Sequence, residues 1–400
     1  MRKERPVQEI VLSENHKKLR IVLFVLVLAL ALTAFTYGIY SLVRKDPGWR
    51  EVTVKPGAES TCAGDFQFQY KMGSGAAAEY KRVQQIYTDA CEYMEAVFSQ
   101  SVSVTVPGNL HAVNASPNEE VTVDPVLYDA LAKMQSSGRR ALYLAPIYDY
   151  YDNLFQCNDE WETESFDPFT NPEVAETFEE ICAFIGDPAE IDLQLLGDNK
   201  VLLHVSEDYL AYGAETGIEN WIDFYWMKNA FILDYIADTL IQEGFTAGYL
   251  TSAEGYSASL GDCGETYSTS IYDLQPEGIY AAAVLQYTGA CRVVAFHDYT
   301  TKNQIGDYFF MMSDGTSRTP YIDPYDGFCK AAIHDFLVYS NSDCCADLLL
   351  AACPCYISDA WSDPVGLPGY VYCQDRVIYH QGFGELTQVF EDKEVVYQVK

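Results

Sequence analysis

The chain has 400 residues, room for one large domain or two of ordinary size with an ample core. Its 31 Tyr and 20 Phe suit a globular protein and argue against disorder. With 25 Lys and Arg against 58 Asp and Glu the net charge is −33, a surface that repels nucleic acid and anionic lipid headgroups. The charge is lopsided: residues 1–45 hold eight Lys/Arg and three Asp/Glu, leaving 17 against 55 in the rest, a net of −38.

Residues 21–43 run for 23 positions without a charge, long enough to span a bilayer as a helix. Six basic residues from Arg2 to Arg20 precede them; Arg44 and Lys45 follow. The larger positive cluster predicts a cytoplasmic tail (1–20), a transmembrane anchor (21–43) and everything beyond it outside the cell. A cleaved signal peptide is the competing reading, but the apolar run continues well past Ala29-Leu30-Ala31. Residues 44–63, bearing Gly and Pro, read as a stalk, and 64–400 as the globular part.

Phe66–Tyr70 alternates like a half-buried strand. From Glu79 to Phe98, Val83, Tyr87, Ala90, Met94 and Val97 recur at helical spacing and form a core face. Gly73-Ser74-Gly75 lacks the further residues of a phosphate loop. Phe98–Asp124 reads as loop, and Asp124-Pro125 opens a helix over Val126–Gln135. Arg139-Arg140 either meets an anion or lies on a solvated ion-pairing face. Asp149–Phe169 is acidic and aromatic, lacks calcium-loop spacing, and reads as an exposed connection. Asn171-Pro172 opens a helix to Ile185, and Ile191–Val205 is a strand pair turned at Gly197-Asp198-Asn199. A helix running to Gly244, a strand over Phe245–Leu250, and strands over Ile279–Leu285 and Arg292–His297 follow, and Tyr308–Met312 with the Asp314-Gly315 turn leads into the next stretch. Asp323-Pro324-Tyr325-Asp326-Gly327 is a tight turn, Ile333–Tyr339 a strand, and Cys344 opens a helix after the capping run Ser340–Asp343. Asp347, in that helix's first turn, is either a carboxylate facing the helix dipole or a metal ligand.

The twelve Cys are even in number, and an exported domain permits disulfides, expected first among Cys344, Cys345, Cys353, Cys355 and Cys373; buried free thiols are the alternative. No Cys–His or Ser–His–Asp arrangement is legible, and six scattered His give no metal motif.

Pro320-Tyr321-Ile322-Asp323-Pro324-Tyr325-Asp326-Gly327, then a strand, then Ala346-Asp347-Leu348-Leu349-Leu350-Ala351, resembles the C-terminal signature of the FAD:protein FMN transferases, the ApbE-type flavin transferases. There the pattern is roughly H-I-I-D-P-[RK]-T-G and A-D-A-L-S-T. Ile222 to Asp234 aligns without a gap on a second signature, I-D-L-G-G-I-A-K-G-Y-A-V-D, and Leu110 and Asn114 fit a third segment, S-E-L-S-R-L-N. The resemblance covers about residues 64–390. It implies an α+β fold of two mixed sheets flanked by helices, Mg²⁺-dependent transfer of FMN from FAD to an exported partner, Asp223 as a cofactor contact and Asp347 as a metal ligand.

The departures fall on the chemistry. The paired glycines are Tyr225 and Trp226, the Lys is Asn229, and the Gly-Gly-Asp that faces the dinucleotide is Glu254-Gly255-Tyr256. The Phe-Asp pair of a G-G-A-F-D-P run is Arg140-Ala141, an aromatic flavin contact falls at Val104, the His is Pro320, and the Ser and Thr beside Asp347 are Leu350 and Ala351. Apolar side chains cannot ligate Mg²⁺, and Glu254 beside a pyrophosphate is unfavourable without a bridging metal. Two readings stand: a membrane-anchored pseudo-enzyme that binds or scaffolds, working with an active paralogue or exported flavoprotein, or a divergent active transferase needing FAD and Mg²⁺. A third, an unrelated acidic surface domain, requires Asp223 and Asp347 to lie far apart.

Overall fold

The computed structural model describes residues 18, 22–33, 47–58, 61–101, 106–275, 278–299, 309–387 and 397–400. The chain divides into two compact units, residues 1–48 with 72–81 and residues 49–71 with 82–400. In the first, residues 22–33 are helical with exposed apolar side chains such as Phe24 and Leu30. Among the described residues no helix is long and apolar enough to cross a membrane; positions 21 and 34–43 of the expected anchor lie outside them, as do Val104, Thr300 and Tyr308.

The architecture is α+β. One nine-stranded sheet runs in the order Gly48–Glu51, Phe66–Met72, Gly248–Ser252, Tyr256–Ser259, Cys291–His297, Asp335–Ser340, Tyr370–Gln374, Val377–Gln381, Gln398–Val399. From Phe66–Met72 to Val377–Gln381 each neighbour is antiparallel, and Gln398–Val399 adds a parallel edge. Among the described residues three small sheets accompany it, so the expected pair of mixed sheets is one large and three small. The helices Lys228–Gln242 and Cys345–Tyr356 pack on the large sheet and on each other. Strand alternation sends Val294, Phe296, Phe336 and Val338 to one face and Val293, Ala295, Leu337 and Tyr339 to the other. Val293, Leu337 and Tyr339 of the second set join Ile271, Ala283 and Leu285 of the small sheet Tyr267–Gln275 with Gly278–Tyr287 in a buried core.

Most elements lie where the periodicity puts them: helices Ala76–Phe98, Pro125–Ser136 and Pro172–Gly186, and the strand pair Ile191–Gly197 with Lys200–Val205. Four segments differ. The expected loop Phe98–Asp124 carries the short helix Leu110–Asn114, capped by Asn109, and the strand Glu120–Thr122, paired with Lys200–Val205. Within the stalk, Gly48–Glu51 is an edge strand and the Val52 N–H donates to Phe68 O at 2.8 Å. The strand after the Asp-Pro turn starts at Asp335, leaving His334 outside it to pair with Asp298 at 3.0 Å. Asp149–Phe169 is not an exposed connection: the helix Ala145–Phe155 buries Tyr148, Tyr151 and Leu154, and Asp167 is wholly buried. Its acidic composition masked apolar positions three residues apart, and a basic residue 151 positions away compensates Asp167. All twelve cysteines are free thiols. Cys345, Cys353 and Cys355 share one helix, and the Cys345 thiol points to the carbonyls of Ser257 and Val293 instead.

Candidate functional site

Two of the signature stretches meet where the helix Lys228–Gln242 packs on the start of the helix Cys345–Tyr356 over the large sheet. Asn114 is a backbone clamp: its amide donates to Ile222 O and its oxygen accepts the N–H groups of Trp221 and Ile222, each at 3.0 Å. Asp234 is a second clamp, accepting the N–H groups of Cys345 and Ala346 at 2.9 Å. It thereby satisfies donors that the first turn of a helix cannot satisfy itself. Arg292 stands 3.4 Å from Asp234 and 2.9 Å from Asp238. Asp323 accepts the Tyr325 N–H within its turn and pairs with Lys330 at 2.9 Å. Lys330 also meets Asp326 and Asp359. The Gly327 position (φ +78°) leaves no room for a side chain, since a Cβ would lie 2.9 Å from Phe178 Cβ. The signature residues that remain thus hold the backbone together.

Asp223 begins the short turn Tyr225–Met227. Its N–H donates to Leu142 O at 2.8 Å, and its carboxylate accepts the N–H groups of Tyr225 and Phe224. Its surface is partly open, but surrounding protein atoms push its carboxyl up to about 6, with those N–H groups and Lys228 opposing. Tyr225 keeps a left-handed backbone (φ +48°) at a glycine position of the signature, a conformation that costs a side-chain-bearing residue about 1–2 kcal/mol. Its ring stacks on Tyr148 at 4.5 Å and its hydroxyl donates to Asp152. At the next glycine position, the Trp226 indole is 3% exposed and packs edge-on against Tyr321 at 4.9 Å, in a cluster with Phe296 and Tyr356. A large aromatic body therefore fills the place where the resemblance implies backbone close to phosphate.

At the lysine position, Asn229 donates to Glu254 at 2.7 Å and to Asp65 at 3.3 Å. The residue that replaces a cation and the carboxylate that replaces a glycine are thus each other's partners. Gly255 (φ +95°) is obligatory at its turn, since a Cβ would lie 2.5 Å from Ala295 O. Arg140 faces no open anion site: it donates to the carbonyls of Ile185 and Ile191 and lies over the Tyr143 ring at 4.4 Å.

Asp347 is bound by protein. The Lys133 ammonium donates to one of its oxygens and to Cys344 Sγ at 3.2 Å, and the Cys344 thiol donates to the other oxygen at 3.1 Å. Burial raises its carboxyl, but these bonds outweigh burial and hold it below the usual range. Leu350 and Ala351 add no oxygen, and among the described residues no group of three or more His, Cys, Asp or Glu is placed to hold a metal. The partners of Asp223 and Asp347 are disjoint. The donor set does not fit Mg²⁺, which takes near-octahedral oxygen.

A second set of titrating groups, not legible in the sequence, lies on the opposite face of the sheet. His297 and Asp335 are cross-strand partners, and Tyr299 donates to Asp335. Burial lowers His297 to about 4 and raises Asp335 to about 7, the latter helped by Asp298 and Asp273. From about pH 4, the unfolded value, to about pH 7, folded Asp335 keeps a proton that the unfolded chain has released. Its contribution therefore favours folding at low pH and is lost as pH rises through 7. Asp335→Asn is expected to flatten this fall, so that the variant gains on the parent between pH 5 and pH 8 in urea denaturation. The opposite contribution of His297 is common to both proteins. A parallel pair of pH profiles refutes the assignment.

No family model matches the chain, and no curated protein matches it. Solved structures do. The ApbE protein of Thermotoga maritima superposes with a TM-score of 0.55 at 14% identity, over 85% of this chain and 96% of that one. A single-site mutant of the flavin transferase ApbE of Vibrio cholerae gives 0.52 at 14% identity, over 84% and 97%. The apo flavinyl transferase ApbE of Pseudomonas stutzeri gives 0.52 at 13% identity, over 83% and 92%. The chain has the ApbE fold.

Proposed function

We propose that this protein is a pseudo-enzyme of flavin-transferase fold, anchored through residues 21–43 with its C-terminal domain outside the cell, where it binds or scaffolds an exported flavoprotein or an active paralogue. The observation that carries this reading is the pairing of Asp347 with Lys133, an ammonium where the resemblance implies a metal. Trp226 in its aromatic cluster supports it, because that plug occupies the approach to phosphate. The net charge of −33 supports it again: without a bridging cation, a pyrophosphate meets only repulsion. The active-transferase reading draws on one feature, the partly exposed carboxylate of Asp347.

Titration of the full-length protein in detergent micelles with FAD, with and without Mg²⁺, separates the two by flavin fluorescence. The expected result is no Mg²⁺-dependent quenching up to high micromolar FAD. Tight, Mg²⁺-dependent quenching establishes the active transferase instead. For the topology, protease added to intact cells is expected to remove the C-terminal domain and spare a small N-terminal fragment. Full protection of the domain refutes external placement.

A further inference from the structure

Where the edge strand Tyr267–Gln275 of the small sheet passes over the large one, the two enclose a cavity of about 420 Å³. That is within the size range of small-molecule sites. It lies on the sheet face that carries Val293, Ala295 and His297, opposite the face packed by the helices Lys228–Gln242 and Cys345–Tyr356. Gly255 and Tyr256 of the signature turn are among the residues that line it.

The lining decides the ligand class. No Lys or Arg is among the described residues that line it, so nothing there offsets a phosphate or carboxylate. Thr251, Ser257 and Thr269 supply hydroxyls from both walls, and each hydroxyl can both donate and accept. Tyr249 and Tyr272 add aromatic surface. The floor is the buried set His297, Tyr299 and Asp335, in which the Tyr299 hydroxyl and the Tyr272 N–H already serve the Asp335 carboxyl. Burial keeps that imidazole neutral and raises the Asp335 carboxyl to about 7, so the floor carries at most a partial charge near neutral pH, and choline serves as the cation control.

We propose that this cavity is a binding site for a neutral, hydroxyl-rich small molecule of the monosaccharide class. Donors and acceptors in equal supply match a polyol ring, whose hydroxyls have both roles, and tyrosine surface suits its apolar C–H faces. The cavity includes Gly255 and Tyr256 of one signature stretch, so FAD is tested beside the sugars.

The test is isothermal titration calorimetry of the full-length protein in detergent micelles with mannose, galactose and N-acetylglucosamine, with choline and FAD as comparison arms. At least one sugar is expected to bind in the millimolar range. Ala295→Phe, which fills the cavity from the large sheet, and Thr269→Trp, which fills it from the edge strand, are each expected to weaken binding by about tenfold or more, equivalent to about 1.4 kcal/mol. Far-UV circular dichroism checks that each variant is folded, and two variants on different walls guard against one failing to fold. The proposal is overturned if no sugar binds at tens of millimolar, or if sugar binding ignores both filling variants. It is also overturned if choline binds and Asp335→Asn abolishes that binding, which marks a cation site. FAD binding without sugar binding defeats both this proposal and the pseudo-enzyme reading; sugar binding together with FAD binding defeats only the latter.

Discussion

Replacing Arg318 by Met is expected to destabilise the protein by about 3–5 kcal/mol, because it strands a buried charge. Arg318 Nε donates to both oxygens of Asp167, at 2.9 and 3.0 Å. Asp167 is 0% exposed and Arg318 7%. The guanidinium also lies over the Phe169 ring at 4.3 Å and donates to Thr316 Oγ1, and Asp167 accepts the Phe169 N–H. The pair joins two segments 151 residues apart, so its loss also loosens the acidic stretch from the turn that leads into Asp323. The cost is mostly desolvation without compensation, not the loss of a favourable bond. The double variant Arg318→Met with Asp167→Leu removes both charges and is expected to recover much of the loss. Urea denaturation of the three variants measures this. A single-variant cost below about 1 kcal/mol, the value of an exposed pair, shows that water reaches Asp167.

Trp226→Gly, which restores the signature glycine, is expected to cost about 3–5 kcal/mol, the range for truncating a buried tryptophan. The indole is 3% exposed and contacts Tyr321 at 4.9 Å and Phe296 at 6.3 Å, so its removal opens a cavity in a rigid aromatic cluster. The denaturation midpoint should fall with an unchanged slope. The variant is not expected to gain Mg²⁺-dependent FAD binding, since Asp347 stays paired with Lys133 and Leu350 and Ala351 still offer no oxygen. A loss under about 1 kcal/mol means the indole is not core. A gain of FAD binding means it was the sole obstacle, and the pseudo-enzyme reading then fails.

The sequence by itself determined the helices and strands whose burial is one-sided, because period 3.6 or 2 is imposed by a single apolar face. Ala76–Phe98 and the pair Ile191–Gly197 with Lys200–Val205 are of this kind. It also determined that the signature turns survive while their chemistry departs, since Gly, Lys, Ser and Thr are legible as letters. Only the tertiary structure decided what the remaining signature residues do. Asn114 and Asp234 clamp backbone groups 108 and 111 residues away, and such pairings leave no trace in local spacing. It alone showed that Lys133 sits on Asp347, that Asn229 answers Glu254, and that Arg318 makes buried Asp167 tolerable. An acidic segment reads as solvated until its distant cation is known, because the cost of burying a charge depends on what the fold brings beside it. The cavity over His297 and Asp335 is likewise a product of two sheets meeting. Its hydroxyls come from three consecutive strands, Gly248–Ser252, Tyr256–Ser259 and Tyr267–Gln275, but only the fold lays the third of them over the large sheet beside His297 and Asp335.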